Sequence, residues 1–218
     1  MQTRQRSPRL SREAILEAAV ELVDEQGLGA LSMRSLASRL GVEAMSLYHH
    51  VPSKEALLDG IVEVVLDDVA ASGRRGWRPT LRELAHRYRD VSRRHPRVLL
   101  LFSSRTLTMP SWRRAVEDTL AALRSGGFSD QETVHAYRVF WAYIVGYVLA
   151  ELRLGESDGV DEYHKQLPAS DYPATLALTS VLRDTDRDEE FARGVELLLD
   201  AIARFRRPAR ASRTRGPA

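Results

Sequence analysis

The sequence predicts an all-α fold: a three-helix amino-terminal head followed by a larger helical domain. Three observations carry that prediction. Nearly every segment repeats its apolar residues with a helical period, and none sustains a two-residue alternation. Ser, Thr or Asp stands just before several of these runs, where its side chain can cap an orphan amide. Gly27, Gly41 and Gly126-Gly127, with Pro52, Pro96 and Pro110, mark where runs end or begin.

Taken in order, Ser11 caps a first helix whose inner stripe is Ile15, Ala19, Leu22 and Val23, and Gly27 ends it. Ser32 caps a second helix with Leu36, Ala37 and Leu40 on one face. Gly41 stops it, because the residue past a helix end often needs a positive φ that glycine adopts without a Cβ clash. Val42 then plugs the angle before a third helix of about two turns. In that helix Leu47 and Val51 face inward, leaving Ala44, Met45, Ser46, Tyr48, His49 and His50 outward. Pro52 breaks the chain and Ser53 caps a fourth helix with Glu55 in its first turn, where the macrodipole favours an acid. Its apolar positions, Leu57, Leu58, Ile61, Val62, Val65 and Val69, carry it to about Ala71. That is a rod of about 27 Å.

Ser72 to Pro79, SGRRGWRP, reads as a domain boundary. Thr80 with Glu83 and Ser129 with Glu132 have capping-box spacing, and Asp186 with Glu189 approximates it. Helices are expected near 80–94, 96–103 and 109–125, another from Ser129, and one over 174–182 after a polar loop from Gly155 to Pro173. The last helix carries Phe191, Val195, Leu198, Leu199, Ile202 and Phe205 as a single stripe. Val139 to Ala150, VFWAYIVGYVLA, is apolar on all sides. Such a helix is either central in its own domain or faces a partner on one side.

Composition narrows the function classes. A chain of 218 residues, 44% hydrophobic, can bury a real core in one large or two small domains. Without cysteine there are no disulfides or thiolate metal sites. The start lacks the apolar core of a secretory signal, and the Val139 to Ala150 run falls short of the roughly 20 residues that span a bilayer, so a soluble cytoplasmic protein is expected. Residues 1–12 hold four arginines and residues 204–218 hold six, with no acids in either, which leaves the body 22 basic and 30 acidic residues, a net of −8. A basic arm before the head can reach phosphates or an adjacent minor groove, or be a solvated tail. No histidine pair at i, i+4 and no compact histidine–carboxylate cluster suggests a metal site, and no G-x-S-x-G, G-x-x-x-x-G-K or dinucleotide fingerprint suggests catalysis. We therefore expect no enzyme activity, no cofactor and no metal.

The layout from Leu31 to Leu58, helix, glycine turn, short helix and capped helix, is that of a DNA-reading helix-turn-helix, although it also fits an ordinary small helical bundle. An exposed Met, Tyr and paired His on a two-turn helix suit a surface that meets a groove. The run LSMRSLASRLGVEAMSLYHHVPSKEALLDGI, with Gly41-Val42, Leu47-Tyr48, His50-Val51 and Lys54, resembles the amino-terminal domain of the tetracycline-repressor (TetR) family of one-component bacterial transcription regulators. The resemblance covers Leu10 to Ala71 closely. It continues loosely through Gly76-Trp77, Gly126-Gly127-Phe128-Ser129 and Phe191 to Phe205, where the chain is similar to the sensor domain of the tetracycline repressors.

The resemblance implies a division into a basic arm (1–12), a DNA-binding domain with connecting helix (13–71), a ligand-binding and dimerisation domain (72–206) and an Arg-rich tail (207–218). It implies a homodimer on a double-stranded palindromic operator, with the Val139 to Ala150 helix and the last helix forming a four-helix bundle with their copies. Carried over residue by residue, Arg34, Ala44, Met45, Tyr48 and His49 would approach base edges, while Ser32, Ser46, His50 and Lys54 would hold phosphates. Arg34 suits guanine, whose O6 and N7 a guanidinium reaches together, whereas Ala44 and Met45 offer apolar contact only.

The resemblance also implies a small-molecule effector pocket. Its expected lining is His86, Tyr88, Phe102, Arg105, Met109, Trp112, Tyr137, Trp141 and Tyr147. Aromatics at helical spacing equally suit plain core. The histidines that hold magnesium-bound drug in the tetracycline repressors have no counterpart, since the matching segments read LFSSR at Leu101 to Arg105 and VVLDDVA at Val64 to Ala70. A different, more hydrophobic effector is expected. Two rivals remain: a ligand-binding or catalytic helical protein with a degenerate head, and a ligand-independent architectural DNA binder.

Overall fold

The computed structural model describes residues 10–70, 76–102, 110–154, 166–184 and 186–206. All regular structure among them is helical: α1 (Arg12–Gln26), α2 (Met33–Leu40), α3 (Ala44–Tyr48), α4 (Lys54–Asp67), α5 (Trp77–Arg94), α6 (Pro96–Phe102), α7 (Pro110–Ser125), α8 (Asp130–Leu154), α9 (Pro173–Asp184) and α10 (Arg187–Phe205), with a short 3-10 turn at Leu28–Ala30. Most of the expected amino-terminal arm, the Arg-rich tail, most of the loop after Gly155 and the first half of the Ser72 to Pro79 segment lie outside the described residues.

Local chemistry places most helix starts. Ser11, Ser32 and Ser53 accept hydrogen bonds from the amides of Ala14, Ser35 and Ala56. At Ser129 the amide donates to Glu132 Oε2 at 2.8 Å, and Asp186 Oδ1 accepts from Asp188 and Glu189. Thr80 behaves differently from its expected capping role. The helix starts three residues earlier at Trp77, and Thr80 sits within it, its hydroxyl donating back to the Gly76 carbonyl at 2.9 Å. Pro79 does not delay the start, because a proline in the first turn lacks an amide that would be unsatisfied there anyway.

The fourth helix is also shorter than expected. It has 14 residues and ends at Asp67, about 21 Å rather than 27 Å. Two acids at its carboxyl end oppose the macrodipole. Tertiary partners hold the chain there instead: Asp68 pairs with Arg94 at 3.0 Å, and its carbonyl accepts from Arg87.

The chain forms two compact units. One is drawn from Met1–Ser72 with His86–Glu117, the other from Gly73–Ala85 with Asp118–Ala218, so α5 contributes to both. In the first unit Ile15, Leu16, Leu36, Leu47, Leu57, Ile61 and Leu66 are buried together with Tyr88, Val91, Val98, Leu99 and Trp112. α6 packs on both α1 and α4.

The second unit buries Leu81, Leu84, Leu123, Phe140, Trp141, Ile144, Val148, Phe191, Val195, Leu199 and Ile202. The first turns of α5 hold α10 through Arg78–Asp200 at 2.7 Å and Arg82–Glu196. Trp77 meets Phe128 edge-on at 5.2 Å. α8 packs on α10 so closely that a Cβ at Gly194 would lie 1.9 Å from the Tyr143 hydroxyl. Gly194→Ala therefore displaces the half-buried Tyr143 ring, and with about 1 kcal/mol regained from helix propensity it is expected to destabilise by roughly 1 kcal/mol or less. Tyr143→Phe, which removes the clashing atom, should recover part of the loss in thermal unfolding.

Candidate DNA interface and effector region

The head presents α3 on a rigid mount. Gly41 takes φ 67° and ψ 31°, and the Val42 amide closes back on the Ala37 carbonyl at 3.0 Å, setting the sharp exit from α2. Leu47 is the buried anchor of α3, and Val51 just beyond it is buried too. The opposite side is open, with Met45 70% and Tyr48 43% exposed and His49 and His50 exposed as well. Ala44 and Ser46 are half-buried.

Two arginines of α2 have different fates. Arg39 makes a bidentate pair with Glu25, at 2.7 and 2.8 Å, and reaches Glu21 at 3.0 Å. The hydrogen bonds it donates to these two acids hold the pKa of its guanidinium well above the ordinary arginine range. Arg34 is exposed and, among the described residues, has no ion pair or hydrogen bond. It is a free guanidinium on the same helix, available to an outside acceptor.

Two helix amino termini flank α3. At α2, Ser32 and Ser35 satisfy each other's amides reciprocally at 3.0 Å, and Ser35 Oγ donates to the Ala30 carbonyl at 2.7 Å. At α4, Lys54 is the first helical residue and is exposed without a described partner. A helix amino terminus with a lysine on its first turn favours an anion.

The residues expected to line an effector pocket fall in both units. In the first unit Tyr88 and Trp112 are buried with ring centroids 6.2 Å apart, burial pushes the Tyr88 phenol up in pKa, and His86 is half-buried. In the second, Trp141 is buried and donates from Nε1 to Thr119 Oγ1 at 3.1 Å, and Tyr137 is half-buried. Tyr147 stacks near Phe191 at 5.1 Å and turns its hydroxyl to Glu190 at 3.2 Å. Arg105, Met109 and the Phe102 side chain lie outside the described residues. A wide-open surface groove of about 580 Å³ runs along the first turns of α8, lined by the exposed Asp130, Gln131, Val134, His135 and Arg138. None of these five is among the residues expected to line the pocket.

One further group carried no sequence signal. His95 Nδ1 donates to Asp24 Oδ2 at 2.6 Å, and Arg97 donates to the Asp24 carbonyl at 2.6 Å, joining α6 to the end of α1. These partners are 71 and 73 residues apart.

A reading head of this geometry followed by a larger helical domain defines the class, a DNA-binding regulator of the helix-turn-helix type. Comparison with known proteins makes it specific. The family model described as bacterial regulatory proteins, tetR family, matches residues 15–61, and that described as tetracyclin repressor-like, C-terminal domain, matches residues 70–205. The chain belongs to the TetR family. It is 33% identical over 211 residues to the HTH-type transcriptional repressor DrrR1 of Streptomyces coeruleorubidus, covering 89% of this chain and 78% of that protein. It is 30% identical to the class C tetracycline repressor protein of Escherichia coli, covering 91% and 93%. Among solved structures, Streptomyces coelicolor ActR in complex with actinorhodin matches with a TM-score of 0.75 at 27% identity, covering 90% and 96%.

Proposed function

We propose that this chain is a homodimeric repressor that holds a palindromic operator and releases it when a small, mainly hydrophobic molecule binds the helical domain. The observation that carries the reading is the open face of α3 beside an unpaired Arg34 and the amino terminus of α4. In this reading α3 enters the major groove, where Arg34, Ala44, Met45, Tyr48 and His49 meet base edges. Ser32, Ser46, His50 and Lys54 position the head on phosphates. The chain acts by binding and carries out no catalysis.

Dimerisation is supported by what α8 and α10 leave uncovered. Val139 is 40% exposed on α8, with Ala142, Gly146 and Ala150 exposed on successive turns beyond it. Leu197 is 66% and Phe205 46% exposed on α10, with Ala201 exposed between them. Apolar faces on two adjacent helices suit a bundle with a second copy, and two-fold symmetry doubles the base contacts of a short reading helix.

For induction the effector must prefer the head spacing that does not fit DNA, because equal affinity for both spacings shifts nothing. Within the second unit, the half-buried Tyr137 and Tyr147 of α8 leave aromatic surface with hydroxyl anchors for such a molecule. The positions that would hold magnesium, within LFSSR and VVLDDVA, carry no histidine and do not fit that ion, so no metal enters the proposal.

Repeated selection of bound duplexes from a random pool at near-physiological salt tests the reading. An enriched palindrome with half-sites about one turn, roughly 34 Å, apart is expected. Failure to enrich any motif overturns it. Tyr48→Ala is expected to weaken binding to the selected duplex about tenfold while leaving the thermal midpoint unchanged, because Tyr48 is not part of the buried core. Titration of the folded variant against that duplex checks this.

A further inference from the structure

We propose that Asp24 and His95 form a latch through which α6 sets the position of the helix-turn-helix, with the last turn of α1 as intermediary. This rests on the reading of α2 and α3 as the DNA-contacting pair. His95 directly precedes α6, and its carbonyl accepts the Leu99 amide at 3.1 Å, so its imidazole moves with the first turn of that helix.

Two residues of this turn grip one residue of α1. The His95 ring N–H donates to the Asp24 carboxylate at 2.6 Å. Arg97 donates to the Asp24 carbonyl at 2.6 Å, with a longer contact to the Val23 carbonyl at 3.4 Å. The last carbonyls of a helix lack intrahelical partners, and a guanidinium there also complements the macrodipole.

The next residue of α1 faces the other way. Glu25, with Glu21 one turn earlier, holds Arg39 of α2. Adjacent residues thus tie α1 to α6 on one side and to α2 on the other, through contacts of 3.0 Å or less. A displacement of α6 reaches α2, and across Gly41 the reading helix, without crossing a loose segment.

In this proposal the latch is either made or released, and the structure holds it made. Asp24 Oδ1 is buried without a hydrogen-bond partner, so Oδ2 and its bond to His95 account for the described side-chain hydrogen bonding of the carboxylate. Drawing α6 away removes the one described side-chain partner of a carboxylate whose other oxygen is already buried and unpaired. A signal that crosses between two sites needs an element of that bistable kind.

The experiment uses the full chain and three variants, His95→Ala, Asp24→Ala and Asp24→Asn. Amide hydrogen exchange across α1 to α4 is measured together with affinity for the duplex recovered by selection. Both alanine variants are expected to raise exchange in α2 and α3 with α4, α8 and α10 unchanged. Operator affinity is expected to fall roughly threefold to tenfold, the range of a coupling substitution. The slope of affinity against salt should not change, because no phosphate contact is removed. Asp24→Asn, whose amide oxygen still accepts from His95, should stay near the parent protein.

Unchanged exchange in α2 and α3 for both alanine variants overturns the latch. So does loss of protection throughout the first unit, α4 included, which would mark a merely structural role. If the parent protein selects no duplex, the DNA reading falls, while the exchange comparison still decides the latch.

Discussion

Leu47→Ala is expected to remove DNA binding by unfolding the reading helix, with no contact to DNA altered. α3 has five residues, too few to hold a helix on propensity alone, and Leu47, fully buried, is its anchor in the core. Truncating such a side chain costs about 2–5 kcal/mol, the transfer energy of the lost methyl groups together with the cavity left behind. That is a large share of the roughly 5–15 kcal/mol that keeps a domain folded. Urea unfolding should shift its midpoint strongly in Leu47→Ala and not at all in Tyr48→Ala, while both lose operator affinity. Adjacent residues would then separate scaffold from contact, and a stable Leu47→Ala protein would show that α3 is held by something other than its buried side.

Arg34→Ala should have the largest effect on binding at unchanged stability. Its guanidinium has no described partner inside the chain, so its removal breaks nothing in the fold. A bidentate arginine–guanine contact is worth about 1–3 kcal/mol, and a two-fold complex makes it twice. Operator affinity should therefore drop by a factor between roughly thirty and twenty-five thousand. The loss should also relax discrimination at one symmetric pair of base positions. A uniform loss across all sequences, with a shallower salt dependence, would instead assign Arg34 to a phosphate. Arg39 differs, since Glu21 and Glu25 already occupy its guanidinium and its removal would act through the placement of α2 instead of through a base.

Much of the head was legible in the sequence. Ser11, Ser32, Ser53, Ser129 and Asp186 were readable as caps because each bond closes over two or three residues, a distance that sequence spacing encodes directly. The outward face of α3 was readable for a similar reason, since the period that buries Leu47 turns Met45 and Tyr48 away. Thr80 misled because the same spacing occurs inside a helix, and only Gly76, with φ 91°, marks the true start. The end of α4 was hidden because its apolar period runs on through Val69, while the partners of Asp68 come from α5.

The effector region was legible only as a list of residue types. Tyr88, Trp112 and Trp141 share helical spacing with Tyr137 and Tyr147, yet the first three are buried and the last two are half-buried. Periodicity distinguishes inside from outside on one helix. It carries no information on whether the inside is solid or hollow. The Asp24–His95 contact lay further out of reach, because nothing local distinguishes those two residues from any other acid and histidine.

The composition of the first unit bears on how members of this family can be recombined. Tyr88, Val91, Val98, Leu99 and Trp112 are buried in the unit that contains α1 to α4, and α6 packs on both α1 and α4. A fragment ending at the linker near Ser72 would lose part of its own interior and expose the apolar sides of α1 and α4. A chimera that joins this reading head to a foreign sensor at that linker would likewise import mismatched α5 and α6 surfaces into the head. Portable heads need a cut that keeps α5 to the first half of α7 in place, so operator preference and the segment after the linker travel as one heritable block.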